Sequence, residues 1–308
     1  MCLPRRPVFS KFPMRTSVII PTFNRPRGLE ACLDALAEQT VLSGSFDVVV
    51  VDDGSETPLA LDPGRWAAKF DLTLLRQHNT GPAAARNRGV AESCGELLAF
   101  TDDDCLPAPT WLEKLVAAVR EHPEALVGGS TVNGLKDDLF AETSQLIVEM
   151  VYQHFNRDPA DAYFLASNNM GCHRKAFLAV GGFDRRFRAA AEDREFCDRW
   201  RMAGRRLWWI RDAVIEHRHA QSLRSFTQLH LRYGQGAYHY QRLRKSRGSG
   251  SMREDLGFHG SLPRSVWGAL SDRSPGRRLQ LVSTLMLWQV ANALGFFWAA
   301  GRELLFRR

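Results

Sequence analysis

The chain has 308 residues, enough for one elaborated α/β domain or a domain with an appendage. Hydrophobic residues make up 44% and charged residues 24%, ordinary globular values that exclude collagen-like, low-complexity and wholly disordered classes. Basic residues number 41 against 34 acidic, so the net charge of +7 admits a phosphate-bearing ligand, an anionic membrane surface or a nucleic acid as partner.

Residues 1–14 form a tail with Arg5 and Arg6 and no apolar run of signal-peptide length, which argues against secretion. Six cysteines (Cys2, Cys32, Cys94, Cys105, Cys172, Cys197) make no CxxC pair and read as reduced thiols of a reducing compartment. From residue 15 onward, strands and helices alternate. Apolar, β-branched runs at 16–20, 46–51, 72–75 and 96–101 predict strands, and helical spacing predicts helices at 27–39, 82–93 and 111–120. Alternation of this kind predicts a doubly wound, mostly parallel sheet flanked by helices. The middle is less regular: helices are expected at 143–155, 173–180 and 192–203, a loop at 167–171, and short strands at 207–210 and 213–215. Beyond 221 no strand pattern remains, arginines dominate, and Gly-Ser-Gly-Ser at 248–251 reads as a break in a helical extension.

Three of the strands stop at polar motifs: Pro-Thr-Phe-Asn at 21–24, Asp-Asp-Gly-Ser at 52–55 and Asp-Asp-Asp at 102–104. In open α/β sheets ligands bind at the carboxyl ends of strands. Carboxylates at i, i+2 there, Asp102 and Asp104, offer two oxygens to one Mg²⁺ or Mn²⁺ that keeps positions open for substrate phosphates. Asp52 and Asp53 are placed to accept from base or ribose groups. Arg86 and Arg88 sit in an Ala-rich helix opened by Gly81 and Pro82, which is not a GxGxxG dinucleotide fingerprint. Glu192 and Asp193 open a helix and supply a candidate general base. His217, in a His-Arg-His run after the last strand, could complete a metal shell or touch a diphosphate.

In order and spacing these motifs, with Gly-Gly-Phe-Asp at 181–184, resemble the family-2 glycosyltransferases over residues 15–219. The resemblance implies a GT-A fold and inverting transfer from a nucleotide-diphosphate sugar. Carried over, Thr22, Asn24, Asp53 and Arg86 would contact the nucleoside, with Pro21 and Asp52 beside them. Asp102 and Asp104 would lie at the ribose and the diphosphate-bound metal, and Asp103, also at the nucleotide sugar, could share the ligand role because three consecutive aspartates leave the register open. Asp104 would be the direct metal ligand, helped by Asp102 and His217. Asp193 would be the catalytic base, with Glu192 as rival, and Asn168, Asn169 and Gly182 would border the acceptor pocket. The implied partners are a divalent metal, a nucleotide-sugar donor and a glycan or lipid-linked acceptor, with no nucleic acid. A nucleotidyltransferase expects a Gly-rich, lysine-containing loop after the first strand, which Pro-Thr-Phe-Asn-Arg at 21–25 is not. A basic nucleic-acid-binding protein is the non-enzymatic alternative.

The organisation expected is a transferase domain at 15–220, with a nucleotide half at 15–105 and an acceptor half at 106–220, followed by the helical extension at 221–308. Residues 279–301 lack any charge and are long enough to cross a bilayer, with arginines at 277, 278, 302, 307 and 308. Because Gln280, Ser283, Thr284, Gln289 and Asn292 interrupt the run, the reading taken is a helix lying on the inner leaflet of the cell membrane. A helix packed in the fold or at a homodimer interface, and a true span, are the alternatives. A cytoplasmic enzyme at the inner membrane face, acting in cell-envelope or lipid-linked glycan synthesis, is the resulting expectation.

Overall fold

The computed structural model describes residues 15–188 and 190–306; the expected tail at 1–14, with Cys2, and Arg307 and Arg308 lie outside them. The first half runs β1 (Thr16–Thr22), α1 (Pro26–Ala37), β2 (Phe46–Asp52), β3 (Asp71–Arg76), α2 (Pro82–Glu92), β4 (Leu97–Thr101), β5 (Cys105–Pro107) and α3 (Trp111–Glu121). The second half runs β6 (Leu126–Asn133), α4 (Leu139–Phe155), β7 (Asn169–His173), α5 (Arg174–Val180), α6 (Glu192–Met202) and β8 (Leu207–His217). Three helices close the chain: α7 (Leu223–Arg247), α8 (Met252–Ala269) and α9 (Pro275–Phe306).

The strands form one sheet in the order β3-β2-β1-β4-β7-β6-β8-β5. β1 pairs in parallel with β2 and β4, and β2 with β3, as the alternation of strands and helices predicts. β7 enters antiparallel between β4 and β6. β1 and β2 are buried on both faces, so their side chains alternate between two cores. Val18, Ile20, Val48 and Val50 pack against α1 and α3 on one side. Ile19, Val49, Val51 and Phe100 pack against α2, α5 and α6 on the other.

The second half departs from the sequence reading in three places. β6, which contains Gly128 and Gly129, carries no strand signal, yet both glycines are required by close contact: a Cβ on Gly129 would lie 1.8 Å from the Ala213 carbonyl oxygen. The expected loop at 167–171 is in part β7, because its backbone completes ladders on both sides. The two short strands at 207–210 and 213–215 are one strand, β8, whose register against β6 shifts near Gly128. Among the cysteines, Cys32, Cys105, Cys172 and Cys197 are buried free thiols. Cys94 is disulfide-bonded, which no spacing motif signals and which corrects the reading of six reduced thiols.

The extension is helical as expected, and it packs onto α4. Leu146, Met150 and Val151 of α4, Phe226 of α7, Phe258 of α8, and Leu285 and Trp288 of α9 share one core. A Ser222/Ser225 capping box starts α7 and left-handed Gly248 ends it, the break that the Gly-Ser run signals. α7 and α9 cross with their backbones in contact. A Cβ on Gly234 would lie 2.0 Å from the Asn292 carbonyl oxygen, and one on Gly295 would lie 2.0 Å from that of Leu231. Leu281, Leu285, Trp288 and Ala291 of α9 face inward, while Leu279, Met286, Val290, Leu294 and Phe297 are exposed on the other side. Pro275–Leu305 is the one helix among the described residues long and apolar enough to cross a membrane by length and composition.

Gly295→Ala must therefore push α7 and α9 apart, destabilising by about 1–3 kcal/mol in denaturant unfolding. Gly301→Ala, on the same helix with open space around it, is the control and should stabilise by up to about 1 kcal/mol through helix propensity.

Candidate active site

The ends of β1, β2 and β4 converge, and side-chain ties rather than chance fix their loops. Asn24 takes a left-handed backbone (φ 56°), its N–H donates to Ser55 Oγ and its Oδ1 accepts from the Glu56 N–H. Asp52 Oδ1 accepts from the Ser55 N–H. Asp53 Oδ1 accepts from the Thr80 N–H and Oδ2 from the Gly81 N–H, so a carboxylate sits at the start of α2, where the helix dipole favours it. Gly81 must be glycine there: its φ is 94° and a Cβ would lie 2.5 Å from the Arg188 carbonyl oxygen.

α2 carries Arg86, buried at 3% side-chain exposure between two carboxylates from distant parts of the chain. Its Nη2 donates to Asp102 Oδ1 at 2.6 Å and its Nη1 to Glu192 Oε1 at 2.9 Å. Burial alone would lower its pKa, but the two carboxylates overcome that and hold the guanidinium charged. Glu192 is thereby committed: it also accepts a bond from Ser167 Oγ at 3.4 Å. Asp193, the next residue, accepts only the Arg194 N–H among the described groups. Burial, followed by the neighbouring Glu192 charge, raises the Asp193 pKa to about 7. The residue before the pair, Ala191, is left-handed (φ 70°), a strained backbone for a residue with a Cβ.

The third cluster is built by sheet pairing. β5 pairs with β8 so that Cys105 lies opposite His217. Asp104, one residue earlier, thus meets His217 at the end of β8 and His219 just past it: Oδ1 is 3.3 Å from His217 Nε2 and Oδ2 is 2.7 Å from His219 Nδ1. These three side chains lie close enough to share one metal ion. Burial alone would raise Asp104, but its bonds to His217 and His219 and the charge of Arg25 hold it well below the usual carboxylate range. Arg25 Nη1 contacts both Asp103 and Asp104. Asp103 accepts a 2.6 Å bond from Thr22 Oγ1, and burial together with the Asp104 charge raises its pKa to about 7. The donors suit a divalent cation: an ionised carboxylate and two imidazoles beside a second, partly neutralised carboxylate.

All three clusters open into one cavity of about 820 Å³. Pro21, Thr22, Asp53, Arg86 and Asp102 to Asp104 line it, as do Asn168, Glu192, Asp193 and His217. Four anticipated residues do not line it. Asn24 and Asp52 shape the loops, as above. Asn169 is fully buried in β7, where it accepts from Trp111 Nε1 and donates to the Ser130 and Ala213 carbonyls. Gly182 turns the chain under α2, with a Cβ position 2.8 Å from Asn87 Oδ1. Asp102, anticipated beside Asp104 as a ligand, is instead held by Arg86. The sequence reading left His219 and Arg25 unassigned. The i, i+2 spacing with His217 is the available signal for His219; Arg25 ends the Pro-Thr-Phe-Asn-Arg run at 21–25, and its reach to Asp103 and Asp104 is set by the convergence of β1 and β4.

A family model described as glycosyl transferase family 2 matches residues 17–181. The chain belongs to glycosyl transferase family 2. Family membership sets aside the nucleotidyltransferase and nucleic-acid-binding readings. The glycosyltransferase AglE of Haloferax volcanii is 36% identical over 116 residues, 37% of this chain and 38% of that protein. The pre-mycofactocin glycosyltransferase of Mycobacterium tuberculosis is 30% identical over 230 residues, 72% of this chain and 46% of that protein. The chain thus matches less than half the length of these two curated relatives. Among solved structures, the mannosyltransferase PcManGT from Pyrobaculum calidifontis, in complex with GDP-Man and Mn²⁺, superposes with a TM-score of 0.64 at 22% identity, over 97% of this chain and 89% of that one. The first part of S. aureus TarS, residues 1–349, superposes with a TM-score of 0.54 at 21% identity, over 90% of this chain and 81% of that one. The fold of this family-2 chain is accordingly GT-A, as the motifs imply.

Arg86→Met leaves Asp102 and Glu192 without their counter-charge and should lower the unfolding free energy by about 3–5 kcal/mol. Adding Glu192→Gln should recover part of that loss. A double variant no more stable than the single one would show that the pair is not what Arg86 stabilises.

Proposed function

We propose that the protein transfers a sugar from a nucleotide-diphosphate sugar to an acceptor hydroxyl, with inversion at the anomeric carbon. The observation that carries this is a single cavity lined by both the Asp104–His217–His219 cluster and a half-buried Asp193 whose pKa lies near 7. The two clusters suit the two opposed tasks of one direct displacement. Asp193 takes the proton of the acceptor hydroxyl as its oxygen bonds to the anomeric carbon and the bond from that carbon to the diphosphate oxygen breaks. No covalent intermediate on the protein is required. A base with a pKa near the working pH combines availability with driving force. Asp193 is favoured over Glu192 because Arg86 already holds Glu192. The nucleoside end of the donor would lie against Pro21, Thr22 and Asp53, at the strand ends.

Asp104, His217 and His219 would hold the divalent cation, which supplies charge neutralisation for the departing diphosphate. Two imidazole nitrogens beside a carboxylate favour a first-row transition ion such as Mn²⁺ over Mg²⁺. Burial, and after it the Asp104 charge, raise the pKa of Asp103, and a cation beside it would offset that second cause. The acceptor would be a glycan or a lipid-linked molecule, approaching past Asn168 and Asp193. The exposed apolar stripe of α9 and the flanking Arg277, Arg278 and Arg302 support attachment to the inner face of an anionic membrane.

Asp193→Asn should leave nucleotide-sugar binding intact and lower turnover by at least about 10²-fold. In the parent enzyme turnover should fall as pH drops below about 7, because the proton acceptor is the ionised form. Glu192→Gln producing the catalytic loss instead would move the base by one residue. Thermal stabilisation by UDP-, GDP- or dTDP-sugars should require Mn²⁺ or Mg²⁺ and vanish with EDTA or in Asp104→Ala. Stabilisation that survives both would remove the metal from the donor site.

A further inference from the structure

The cavity does not end at Asp193. It continues between α4, α7, α8 and α9, where its wall changes character: Val151 and Phe155 from α4, Phe258 from α8 and Trp288 from α9 replace the carboxylates and arginines. A nucleotide diphosphate has no use for this arm. Polar side chains also line this part, Gln241 of α7, His259 of α8 and Asn292 of α9 among them, and two others there carry unpartnered atoms. His230 of α7 is 2% exposed and both its ring nitrogens lack a hydrogen-bond partner, as does the buried Nε2 of Gln289 on α9. Burial pushes the His230 pKa down to about 4, so the ring is a neutral donor and acceptor at physiological pH. Buried polar groups are nearly always paired, and the unpartnered atoms of His230 and Gln289 in this part of the wall, with Gln221 Nε2 also in the wall, point to a ligand that pairs them. The outer mouth is also informative. Met252, Leu256 and Phe297 line the cavity and are at the same time exposed, at 45%, 60% and 70%. The arm therefore opens onto the apolar outer surface of α8 and α9.

We propose that this arm is the binding channel for the apolar chain of an amphiphilic acceptor, a long-chain or isoprenoid-like aliphatic. His230 and Gln289 hydrogen-bond the acceptor's polar linkage, Asp193 receives its hydroxyl, and the chain leaves through the mouth at Phe297 toward the membrane surface. The proposal rests on the transferase reading above and narrows its acceptor to the lipid-linked class.

The test uses the full chain with dodecyl β-glucoside below its micelle concentration and methyl β-glucoside as the short control, followed by calorimetric titration. The dodecyl compound should bind and the methyl compound should not. Ala293→Trp places a large side chain at an exposed position that lines the arm. It should weaken dodecyl glucoside binding at least about tenfold, while stabilisation by the nucleotide sugar with Mn²⁺ stays unchanged. Val290→Gln, on the outer face of α9, should leave both unchanged. His230→Phe should weaken binding without loss of fold stability, an outcome a merely structural histidine would not give. Equal behaviour of the two glucosides, or dodecyl binding that survives Ala293→Trp, would overturn the channel and assign the binding to detergent adsorbed outside. Dodecyl binding blocked by Ala293→Trp with no nucleotide-sugar response in any variant would uphold the channel and overturn the transferase reading instead.

Discussion

The buried guanidinium of Arg86 is the interaction on which the rest of the site depends. It stands between Asp102, at the end of β4, and Glu192, at the start of α6. A charge so deeply buried is tolerable only with its partners in place, and the partners only with it. Its own position is set one step earlier, because Asp53 binds the N–H groups of Thr80 and Gly81 just before α2 and so ties down the start of the helix that carries Arg86. The chain of ties runs from the β2 loop through α2 to both acidic loops. One consequence is local: Glu192 is committed to Arg86, while the adjacent Asp193 accepts only the Arg194 N–H among the described groups.

A second constraint is the pairing of β5, only three residues long, with β8. That short ladder brings Asp104 to His217 and His219 and leaves a cluster rich in negative charge. Burial, and after it the Asp104 charge, raise the Asp103 pKa to about 7, and Arg25 clasps both carboxylates. A divalent cation held by Asp104, His217 and His219 would offset part of that charge.

The helical extension completes the molecule by geometry rather than by charge. Gly234 and Gly295 let α7 and α9 touch backbone to backbone, which positions Trp288 against α4 and α8 and shapes the far arm of the cavity. α9 is apolar on two sides at once: one side finishes a core and the other remains exposed. A polar reaction centre, an apolar arm and an apolar outer surface thus lie in sequence along one path.

Much of this was determined by the sequence alone. The strands of the first half, their polar stops at 21–24, 52–55 and 102–104, and the family resemblance were all legible, because strand runs and the turns that end them are local features. The clusters around Asp104 and Asp193 were legible for the same reason. What only the tertiary structure decided is direction and pairing. Asn168 and Asn169 are neighbours of one chemistry, yet Asn168 lines the cavity and Asn169 is locked in the core, because Asn168 lies in the turn before β7 while Asn169 is the first residue of that strand. Gly182 turns away from the cleft because α2 and Asn87 lie beneath it. His219 and Arg25 joined Asp104 only through contacts between segments far apart in the chain. The same holds for the last helix: its composition suits a core, a membrane surface and a span alike. Only the close crossing with α7 chose which face it buries, since burial is a property of what a residue packs against and not of the residue itself.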